Sequence, residues 1–443
     1  MFFALAASSL LFCACSSDDA VVSTVGQNEA VQQIVLQVAS SGDGLTTRAG
    51  RPLYSSQALQ TIQNVRVVIY NADTKEIVKD ATQDWTKSTT YNNHGHGRQF
   101  TLTFKGNDRL EKGNYKVMAV GYSNESDYEY SLNATSAVGL TYGDITATLK
   151  AGKKEAEEVF AGDADLKIGD DKKITNLTSG EENGVAVTLH RQVAGSFGYF
   201  SNIPAKVGDK TAATLRLVVK DKNDVLTFNN FNSSFTANGA TGSTIKYWVN
   251  GSKSATAPTS DAQFKDGDDG YVLYSIDLTK WFTEGDKNND GVLNAQDTWQ
   301  HPGDVKTQVV QGSVFGSSFV IPFNLTSGKS TMELQLLDAE GNIIKFWTVS
   351  IPSTDVNRDD TKGVTDENAS IFNVVRNHMY NLGVKTSNGT TDPDPSNPTP
   401  DPDPDKPKPE PGTDQPEDLS KSQNLILKVN DNWEAIHKME LGD

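Results

Sequence analysis

The polar residues with the most informative spacing lie in the segment DKNNDGVLNAQD, residues 286–297. In a twelve-residue calcium loop, positions 1, 3, 5, 7, 9 and 12 contribute oxygen ligands and position 6 is a glycine at a sharp turn. The residues at the six ligand positions are Asp286, Asn288, Asp290, Val292, Asn294 and Asp297, and Gly291 stands at the turn. Val292 would contribute its backbone carbonyl oxygen. The spacing therefore predicts a structural Ca²⁺ ion, bound with an affinity of about 10⁻⁴ to 10⁻³ M.

A second interpretation of this segment is an Asp- and Asn-rich turn that binds no ion. Position 12 is Asp297, whose side chain is shorter than the glutamate of calcium sensors, so the loop is more similar to those of dockerins. Dockerins carry paired loops, however, whereas this sequence has a single copy. His94 and His96 in NHGHG are further candidate metal ligands, but two histidines in a glycine-rich segment are more simply explained as a hairpin tip.

The sequence offers no catalytic centre. It has no G-x-S-x-G, P-loop or zinc-protease motif. Cys13 and Cys15 are its two cysteines and both precede the folded part, which therefore has neither a disulfide nor thiol chemistry. The net charge of −17 argues against nucleic acid as a partner. We expect a protein that is not an enzyme and does not bind nucleic acid.

The first fifteen residues, MFFALAASSLLFCAC, form an apolar segment of signal-peptide length that is too short to cross a bilayer. Ala14 precedes Cys15, which resembles the lipidated cysteine of bacterial lipoprotein signals. The SSDD that follows resembles the acidic export tag of surface lipoproteins in Bacteroides-type bacteria. Unlike those signals, the segment has no Lys or Arg before Cys15. We expect a palmitate-type lipid on Cys15 and an outer-membrane anchor; the alternative is a free apolar N-terminal segment.

Short runs of alternating apolar and polar residues follow one another from Asn64 onward, separated by Gly, Asn and Asp turns. Residues 64–78, NVRVVIYNADTKEIV, predict a hairpin that turns around residues 72–74. In MELQLL, residues 332–337, the alternation predicts a strand with one buried and one exposed face. SIDLTKWFTEG has the apolar spacing of a short helix. Strands at this spacing predict an all-β fold of two β-sandwich domains.

A composition change marks the C-terminal part of the chain. Ten prolines stand between Pro393 and Pro416, and such a tract favours polyproline II over sheet. About 25 residues at 3.1 Å each would reach on the order of 80 Å, more than the diameter of a domain. The tract therefore predicts a long spacer between the second domain and the last apolar segment, NLILKV (424–429).

That last segment matches an isolated strand near the start, QIVLQV (33–38), position by position in polarity. A cleft that holds one of the two strands would accept the other with little change in volume. The apolar residues of the leading strand are Ile34, Leu36 and Val38, and those of the trailing strand are Leu425, Leu427 and Val429. The alternative is that NLILKV folds back onto its own chain as an ordinary last strand.

Arg48 is the first basic residue of the chain, so a trypsin-like protease has no site upstream of it. A cut after Arg48 would free the leading strand from its covalent connection and open an apolar edge to strand addition. The trailing strand of another copy would fill this edge, and because the contact runs head to tail it would build a filament. We therefore predict polymerisation after cleavage, with Ile34, Leu36 and Val38 displaced by Leu425, Leu427 and Val429.

Several segments together resemble the fimbrillins, subunits of type V pili in Bacteroides-type bacteria. These are ACSSDD at the lipoprotein-type start, TTRAG after the isolated strand, LHRQVAGSFGYFSNIP between the two β domains, and VVRNHMYNLGVK. The closing LILKVNDNWEAIHKMEL, behind its Pro/Asp linker, resembles the minor-fimbrium branch of that family. The matches are short, but they are spread over nearly the whole chain.

The resemblance implies two tandem transthyretin-like sandwiches, export as a lipoprotein, cleavage by an Arg-specific protease between Arg48 and Ala49, and exchange of the C-terminal strand. Arg51 is a second candidate for the cut. The expected regions are a signal peptide (1–15), a propeptide with the exchangeable strand (16–48), two sandwich domains (49–195 and 196–385), a Pro/Asp-rich linker (386–418) and a donor-strand segment (419–443).

The function implied is that of a structural subunit of a surface fimbrium that supports cell adhesion and virulence. Its partners would be other copies of itself, related pilus subunits, the Arg-specific protease, and receptors on host or bacterial surfaces. The alternative is a monomeric surface lipoprotein that binds glycan or host protein, with the Pro/Asp tract as its spacer.

Overall fold

The computed structural model describes residues 31–38, 62–90, 98–132, 137–178, 181, 183–229, 231, 249–256, 258–303, 305, 309–323, 332–350, 374, 376, 379–383, 415–421 and 424–430. Strands dominate these residues, which confirms the all-β class expected from the sequence. Among them, no helix combines the length and the hydropathy needed to cross a membrane.

In chain order the strands are β1 (Gln32–Val38), β2 (Asn64–Asn71), β3 (Ile77–Asp84), β4 (Thr89–Thr90), β5 (Arg98–Phe104), β6 (Gly113–Tyr122), β7 (Tyr128–Tyr130), β8 (Ile145–Leu149), β9 (Phe160–Ile168), β10 (Gly184–Arg191), β11 (Ala194–Ser201), β12 (Ile203–Pro204), β13 (Lys206–Val207), β14 (Lys210–Thr211), β15 (Thr214–Val219), β16 (Val225–Phe228), β17 (Gly251–Ser252), β18 (Ala262–Gln263), β19 (Asp269–Asp277), β20 (Val292–Leu293), β21 (Ser313–Val320), β22 (Met332–Leu337), β23 (Ile343–Ser350), β24 (Met379–Leu382), β25 (Glu417–Asp418), β26 (Asn424–Ile426) and β27 (Lys428–Asn430). A four-residue helix, α1 (Leu278–Trp281), follows β19, and two 3₁₀ turns lie at Trp85–Lys87 and Gly106–Asp108.

The largest sheet has the strand order β3-β2-β6-β9-β10-β1-β5-β4. Strands β9 and β10 pair only over His190 and Arg191 of β10, so the sheet divides into two layers at that point. Apolar side chains of both layers, such as Ile34 of β1 and Val67 of β2, belong to one buried cluster. The two layers therefore face each other across a shared core, as in a β-sandwich.

A second sheet, with the order β17-β16-β8-β7, covers the other face of β2 and β6. Successive residues of a strand point to opposite faces, so Val67 lies in the first core while Val68 packs with Leu226 of β16 in the second. This arrangement explains the nearly continuous apolar sequence of β2, because a strand that is covered on both faces needs apolar residues on both.

Most of the remaining strands form a sandwich of two sheets around a third core, whereas β12 pairs with β20 and β13 with β14 in two short ladders. One sheet has the order β18-β19-β15-β22-β23-β26, and the other has the order β21-β11-β24-β27 with β25 also paired to β11. Phe197, Leu217, Leu334 and Trp347 lie in this core. Each sheet has a strand of the C-terminal segment at its edge, because β26 pairs with β23 and β27 pairs with β24.

The domain boundary expected between residues 195 and 196 falls inside β11 (Ala194–Ser201). In addition, β16 and β17 follow that boundary in the chain but share a sheet with β7 and β8, which precede it. The alternating pattern identifies strands, whereas their partners are set by packing between distant segments. Below, "first sandwich" denotes the layers around β1 and β2, and "second sandwich" denotes the sheets that contain β26 and β27.

The hairpin predicted over residues 64–78 is confirmed, since β2 and β3 pair in antiparallel register. The side chain of Asn71 accepts hydrogen bonds from the backbone N–H groups of Asp73 (2.9 Å) and Thr74 (3.0 Å). Lys75 then takes a left-handed conformation, with φ of 63°. Asparagine favours such turns because its amide oxygen can replace a backbone acceptor. The short helix expected in SIDLTKWFTEG is also present, as α1.

The expectation of an exposed face for MELQLL is wrong, because every residue of β22 is buried. The side chain of Gln335 donates to the Gln263 carbonyl (2.7 Å) and accepts from Arg216 Nε (3.0 Å). Glu333 accepts from the backbone N–H of Lys265 (3.0 Å). Polar residues are buried at low cost when their hydrogen bonds are satisfied in this way, and no alternation of residue types reveals such partners.

Candidate functional site: the terminal strands and the Asp/Asn loop

Strand β1 lies inside the first sandwich rather than at its edge. It pairs in parallel with β10 and in antiparallel with β5, over its whole length on the β5 side. Ile34 and Leu36 are 1% and 0% exposed and belong to the first core. Val38 pairs through its backbone with Leu189 and Arg98. Two of the three residues predicted for the displaced strand are thus core residues, and the third is in the ladder.

The start of β1 is fixed by the side chain of Gln32, which is 1% exposed. Its amide nitrogen donates to the carbonyls of Leu110 and Lys172, each at 2.9 Å, and its amide oxygen accepts from the Leu110 N–H at 2.8 Å. These bonds tie β1 to two loops outside its own ladder. Sequence reasoning missed this residue, because a glutamine at the start of a strand is ordinarily exposed.

The trailing strand, β26 and β27, lies in the second sandwich of its own chain. β26 pairs in parallel with β23, and β27 pairs in antiparallel with β24, so the segment crosses from one sheet to the other. Leu425 and Leu427 are each 1% exposed and belong to the third core. Val429 pairs through its backbone with Tyr380. The three predicted donor residues therefore complete a sandwich of the same molecule.

The segment just before β26 is also anchored. β25 pairs in parallel with the end of β11, and Leu419 is fully buried in the third core. The carboxylate of Asp418 accepts hydrogen bonds from the Ser420 hydroxyl (2.6 Å) and the Lys421 ammonium (2.8 Å). Burial raises the pKa of Asp418, but bonds from Lys421, Ser420 and Asn202 outweigh it and lower the pKa to about 2. Residues 415–421 and 424–430 thus form one docked unit, called here the C-terminal segment.

The leading and trailing strands therefore occupy two different clefts of one chain, and not a single cleft as their matching polarity suggested. The trailing strand pairs with strands of its own chain, which is the alternative interpretation of the sequence. Exchange between copies is a separate event, and it stays a prediction. Cys15, Arg48, Ala49 and Arg51 lie outside the described residues, as do His94 and His96.

The Asp/Asn loop, residues 286–297, closes on itself through its three aspartates. Asp286 accepts from the N–H groups of Asp290 (3.1 Å) and Gly291 (3.0 Å), and Asp290 accepts from that of Val292 (3.0 Å). Asp297 accepts from the N–H group of Lys287 at 3.0 Å. Gly291 has φ of 89°, in the left-handed region that favours glycine. The turn predicted at position 6 is therefore present.

Two amide side chains of the loop donate to Asp290, the residue at its fifth position. Asn288 and Asn294 each donate through Nδ2 to Oδ2 of Asp290, at 2.9 and 2.8 Å. The pKa of Asp290 is lowered by the backbone hydrogen bond from Val292 and by the bonds from Asn294 and Asn288. Within the part of the chain that the structure describes, no group of three or more His, Cys, Asp or Glu side chains is placed to hold a metal ion. The loop's six predicted ligands include two asparagines and one carbonyl, so the calcium prediction stays a prediction.

A buried polar network joins β10 to segments far away in the chain. The Arg191 guanidinium, 1% exposed, donates from Nε (2.9 Å) and Nη2 (2.6 Å) to Oε1 of Glu158. Arg376 Nη1 donates to Oε1 of Gln192 at 3.0 Å, and the Asn250 amide donates to the Gln192 carbonyl at 3.1 Å. Arg191 and Arg376 lie in LHRQ and VVRN, two segments that resemble the fimbrillins. Their arginines are the signal that was available, because such residues are rarely buried unless paired.

A cavity of about 450 Å³ opens beside the second core, between β2 and β6 on one side and β7 and β8 on the other. It is lined by aromatic and charged residues, among them Arg66, Tyr122, Tyr128, Glu129, Tyr130 and Lys150. The rings of Tyr122 and Tyr130 lie 5.1 Å apart. Cavities of this size that combine aromatic faces with a few polar groups are typical of small-ligand sites.

No protein-family model and no curated protein matches this chain. Solved structures do match it. One is the tip fimbrial protein Mfa3 from Porphyromonas gingivalis with C-terminal truncation, at 9% identity and a TM-score of 0.37, covering 80% of this chain and 94% of that one. Another is the fimbrial anchor protein Mfa2 from the same organism, at 11% identity and a TM-score of 0.33, covering 79% and 90%.

A third is a fimbrial assembly protein from Parabacteroides distasonis, at 12% identity and a TM-score of 0.34, covering 81% of this chain and 92% of that one. At these identities and TM-scores, the likeness by itself carries no argument about function. These three neighbours are fimbrial proteins, and further ones are described as adhesins or polysaccharide binding proteins.

Proposed function

We propose that this chain is a structural, non-enzymatic subunit of a surface fimbrium that polymerises by strand exchange after proteolysis and supports adhesion. One observation carries the proposal. Strand β1 completes the first core, yet the only basic residues in the segment of sequence that connects it to β2 are Arg48 and Arg51. A cut at either arginine would leave β1 held by its ladder hydrogen bonds and its buried side chains alone.

Few groups keep β1 in its cleft after such a cut. Burying Ile34 and Leu36 contributes about 1.5 to 3 kcal/mol each, and Gln32 adds its hydrogen bonds at both neighbouring loops. Before cleavage β1 is favoured further because it is linked to its cleft, which keeps its effective concentration high. After cleavage this advantage is lost, so a strand of similar pattern from another copy competes on more equal terms.

Export and partners follow from the same proposal. A lipid on Cys15 would hold the uncleaved chain at the outer membrane, and cleavage after Arg48 would release the rest for assembly at the cell surface. Its partners would be other copies of the chain, related pilus subunits and the Arg-specific protease. Host or bacterial receptors would be the targets of adhesion.

We expect the double variant Arg48→Ala/Arg51→Ala to remain monomeric and to keep Cys15 in the mature protein. With no arginine available in that segment, β1 stays covalently connected and retains its cleft. Mass spectrometry of surface-extracted protein would give the first residue, and native electrophoresis would give the polymer ladder. Arg109→Ala, in a loop of the first sandwich, serves as a control that should be cleaved and should polymerise normally.

Polymers of the double variant that match the wild type in amount would contradict the proposal. The single variants show which arginine is used. Ala49 as the first residue of the wild type assigns the cut to Arg48, whereas Pro52 assigns it to Arg51.

A structural calcium ion in the Asp/Asn loop is part of the proposal, supported by the closed loop and the ionised carboxylate of Asp290. With a dissociation constant of about 10⁻⁴ to 10⁻³ M, 10 mM Ca²⁺ should stabilise the folded chain by about 1.4 to 2.7 kcal/mol. Thermal unfolding of the full chain with Ca²⁺, Mg²⁺ or EDTA measures this. The stabilisation should disappear in Asp290→Asn and persist in Asp266→Asn, and equal stability in Ca²⁺ and EDTA would contradict it.

Glycan binding by the monomer is the second candidate function, and the tyrosine-lined cavity is the observation in its favour. Aromatic rings that line a cavity suit the apolar face of a sugar ring, and the charged lining residues offer hydrogen bonds. A glycan array probed with the full chain should then show saturable binding. Binding should be lost in Tyr122→Ala and kept in Tyr122→Phe, which preserves the ring; binding that both variants retain would exclude this cavity.

A further inference from the structure

The side chain of Gln32 fills a small polar pocket at the start of the β1 cleft, and this pocket consists of backbone groups alone. It is called here the amide pocket and is formed by the N–H and C=O groups of Leu110 and the C=O group of Lys172. We infer, on the basis of the proposed function, that the amide pocket selects a glutamine in any strand that occupies the cleft, and that Gln423 supplies this glutamine in the exchanged strand.

The amide pocket uses both ends of the glutamine side chain. Gln32 Nε2 donates to the carbonyls of Leu110 and Lys172, each at 2.9 Å, and Gln32 Oε1 accepts from the Leu110 N–H at 2.8 Å. Within the part of the chain that the structure describes, the Leu110 main chain makes no other hydrogen bond. A strand without this glutamine would leave buried backbone groups unpaired, and each such group weakens docking by roughly tenfold.

Few side chains can take the place of the glutamine. A glutamate has the same length, but when ionised it only accepts hydrogen bonds and would face the carbonyls of Leu110 and Lys172. A lysine only donates, so the Leu110 N–H would stay unpaired. An asparagine carries the same amide on a side chain that is one methylene shorter. The amide pocket therefore favours glutamine over residues of similar size or polarity.

The C-terminal segment has a glutamine at the matching position. When NLILKV is aligned with QIVLQV, Asn424 matches Gln33 and Gln423 matches Gln32. Extended by this residue, the two sequences are QQIVLQV and QNLILKV, which share the glutamine, the leucine at position five and the final valine. Gln423 itself lies outside the described residues. It would reach the amide pocket when the apolar residues of the donor take the places of those of β1.

The apolar residues of the donor do not fix its register by themselves. Side chains alternate with a period of two, so a shift by two residues keeps the same face of a strand toward the core. A shift that brings Leu425 to the amide pocket would place Leu427 and Val429 in the next two apolar sites, with little change in volume. In that register a leucine would face the polar groups of Leu110 and Lys172. The amide pocket therefore rejects the shifted register, which the apolar sites would accept.

Disulfide trapping on β5 would report the register of the exchanged strand. Across the β1–β5 ladder, Thr101 lies opposite Val35 and Thr103 lies opposite Gln33, and both threonines are exposed. A donor with Ile426→Cys would meet Thr101→Cys when its glutamine fills the amide pocket. The same donor would meet Thr103→Cys when the strand is shifted by two residues. The two acceptor variants are therefore matched in residue type, strand and exposure.

Donor and acceptor populations are mixed, treated with an Arg-specific protease, polymerised and oxidised. All populations are full chains without the native cysteines, through Cys13→Ser and Cys15→Ser. Mass spectrometry of the linked peptides should show that a donor with Gln423 prefers Thr101→Cys over Thr103→Cys by at least about tenfold. Gln423→Leu should reduce this preference to less than about twofold. The neighbouring change Asn424→Leu is the control and should leave the preference intact.

Three results would contradict the inference in different ways. If the donor with Gln423→Leu keeps the full preference for Thr101→Cys, the apolar residues set the register alone and the amide pocket selects nothing. If polymers form but link to neither position, exchange takes place at another cleft, which overturns the inference and leaves polymerisation intact. If no mixture forms polymers, including the cleaved wild type, the proposed function is wrong and the inference with it.

The amide pocket also predicts effects of opposite sign in the two strands. Gln32→Leu weakens the binding of β1 to its cleft, so the cleaved chain should polymerise at least about threefold faster, whereas Gln423→Leu should slow polymerisation by about tenfold. A general loss of folding would slow assembly in both variants. Gln33→Leu, at the neighbouring half-buried glutamine, is the control and should leave the rate unchanged. Polymerisation that Gln32→Leu slows or leaves unchanged would overturn the inference.

Discussion

A chain that ends at Lys385 is expected to form no polymers and to lose much of the stability of its second sandwich. The truncation removes Leu419, Leu425 and Leu427, three buried leucines of the third core. Each contributes about 1.5 to 3 kcal/mol, so the loss is roughly 5 to 9 kcal/mol as an upper estimate. That is comparable to the whole unfolding free energy of many domains, about 5 to 15 kcal/mol.

Urea unfolding followed by tryptophan fluorescence measures the effect, because Trp347 lies in the affected core and Trp85 lies in the first. The matched control ends after Asn430 and keeps the whole C-terminal segment. The sequence alone predicts that both domains stay folded after the truncation, because it assigns the residues after Lys385 to a linker and a donor strand that fills another copy. An unchanged unfolding midpoint of the second sandwich would show that the C-terminal segment does not belong to its core.

Replacement of Glu158 by Leu is expected to destabilise the chain by about 3 to 5 kcal/mol, the usual cost of breaking a buried ion pair on one side. The variant would leave the guanidinium of Arg191, which is 1% exposed, without its partner carboxylate. The double variant Glu158→Leu/Arg191→Met removes both charges and should recover most of the loss. Chemical denaturation of the three proteins gives the unfolding free energies.

An exposed ion pair provides the comparison. Lys112 and Asp170 approach to 2.7 Å, but their side chains are 66% and 86% exposed. Asp170→Asn should therefore change stability by less than about 1 kcal/mol. If Glu158→Leu costs no more than Asp170→Asn, the buried pair at the end of β10 does not contribute measurably to the free energy of unfolding.

The sequence predicts local features of this fold well. The β2–β3 hairpin depends on Asn71 and a left-handed turn residue within five positions, and the 3.6-residue spacing of α1 is equally local. Gly291 of the Asp/Asn loop has a positive φ, and it stands at the position where the spacing of a calcium loop requires a glycine. Each of these features is determined by neighbours in the chain, which the printed sequence displays directly.

Features that depend on distant segments are not predictable in this way. Apolar and polar residues do alternate in β22. The burial of Gln335, however, depends on Arg216 and Gln263, which are more than seventy positions away in the chain. Matching polarity in QIVLQV and NLILKV suggested one shared cleft. Both segments are indeed core strands. Their alternation of side chains predicts a half-buried strand, but it does not identify the cleft, because many clefts of β-sandwiches accept the same pattern.

The crossing of the C-terminal segment between two sheets has a mechanical consequence for a fibre. Force that enters through the linker would load β25 first and then β26 and β27, whose ladders with β23 and β24 run along the strands. Both ladders would then be sheared, with their hydrogen bonds loaded together instead of opening one after another like a zipper. A joint of this kind resists tension far better than its few buried leucines would indicate, which suits a filament exposed to flow.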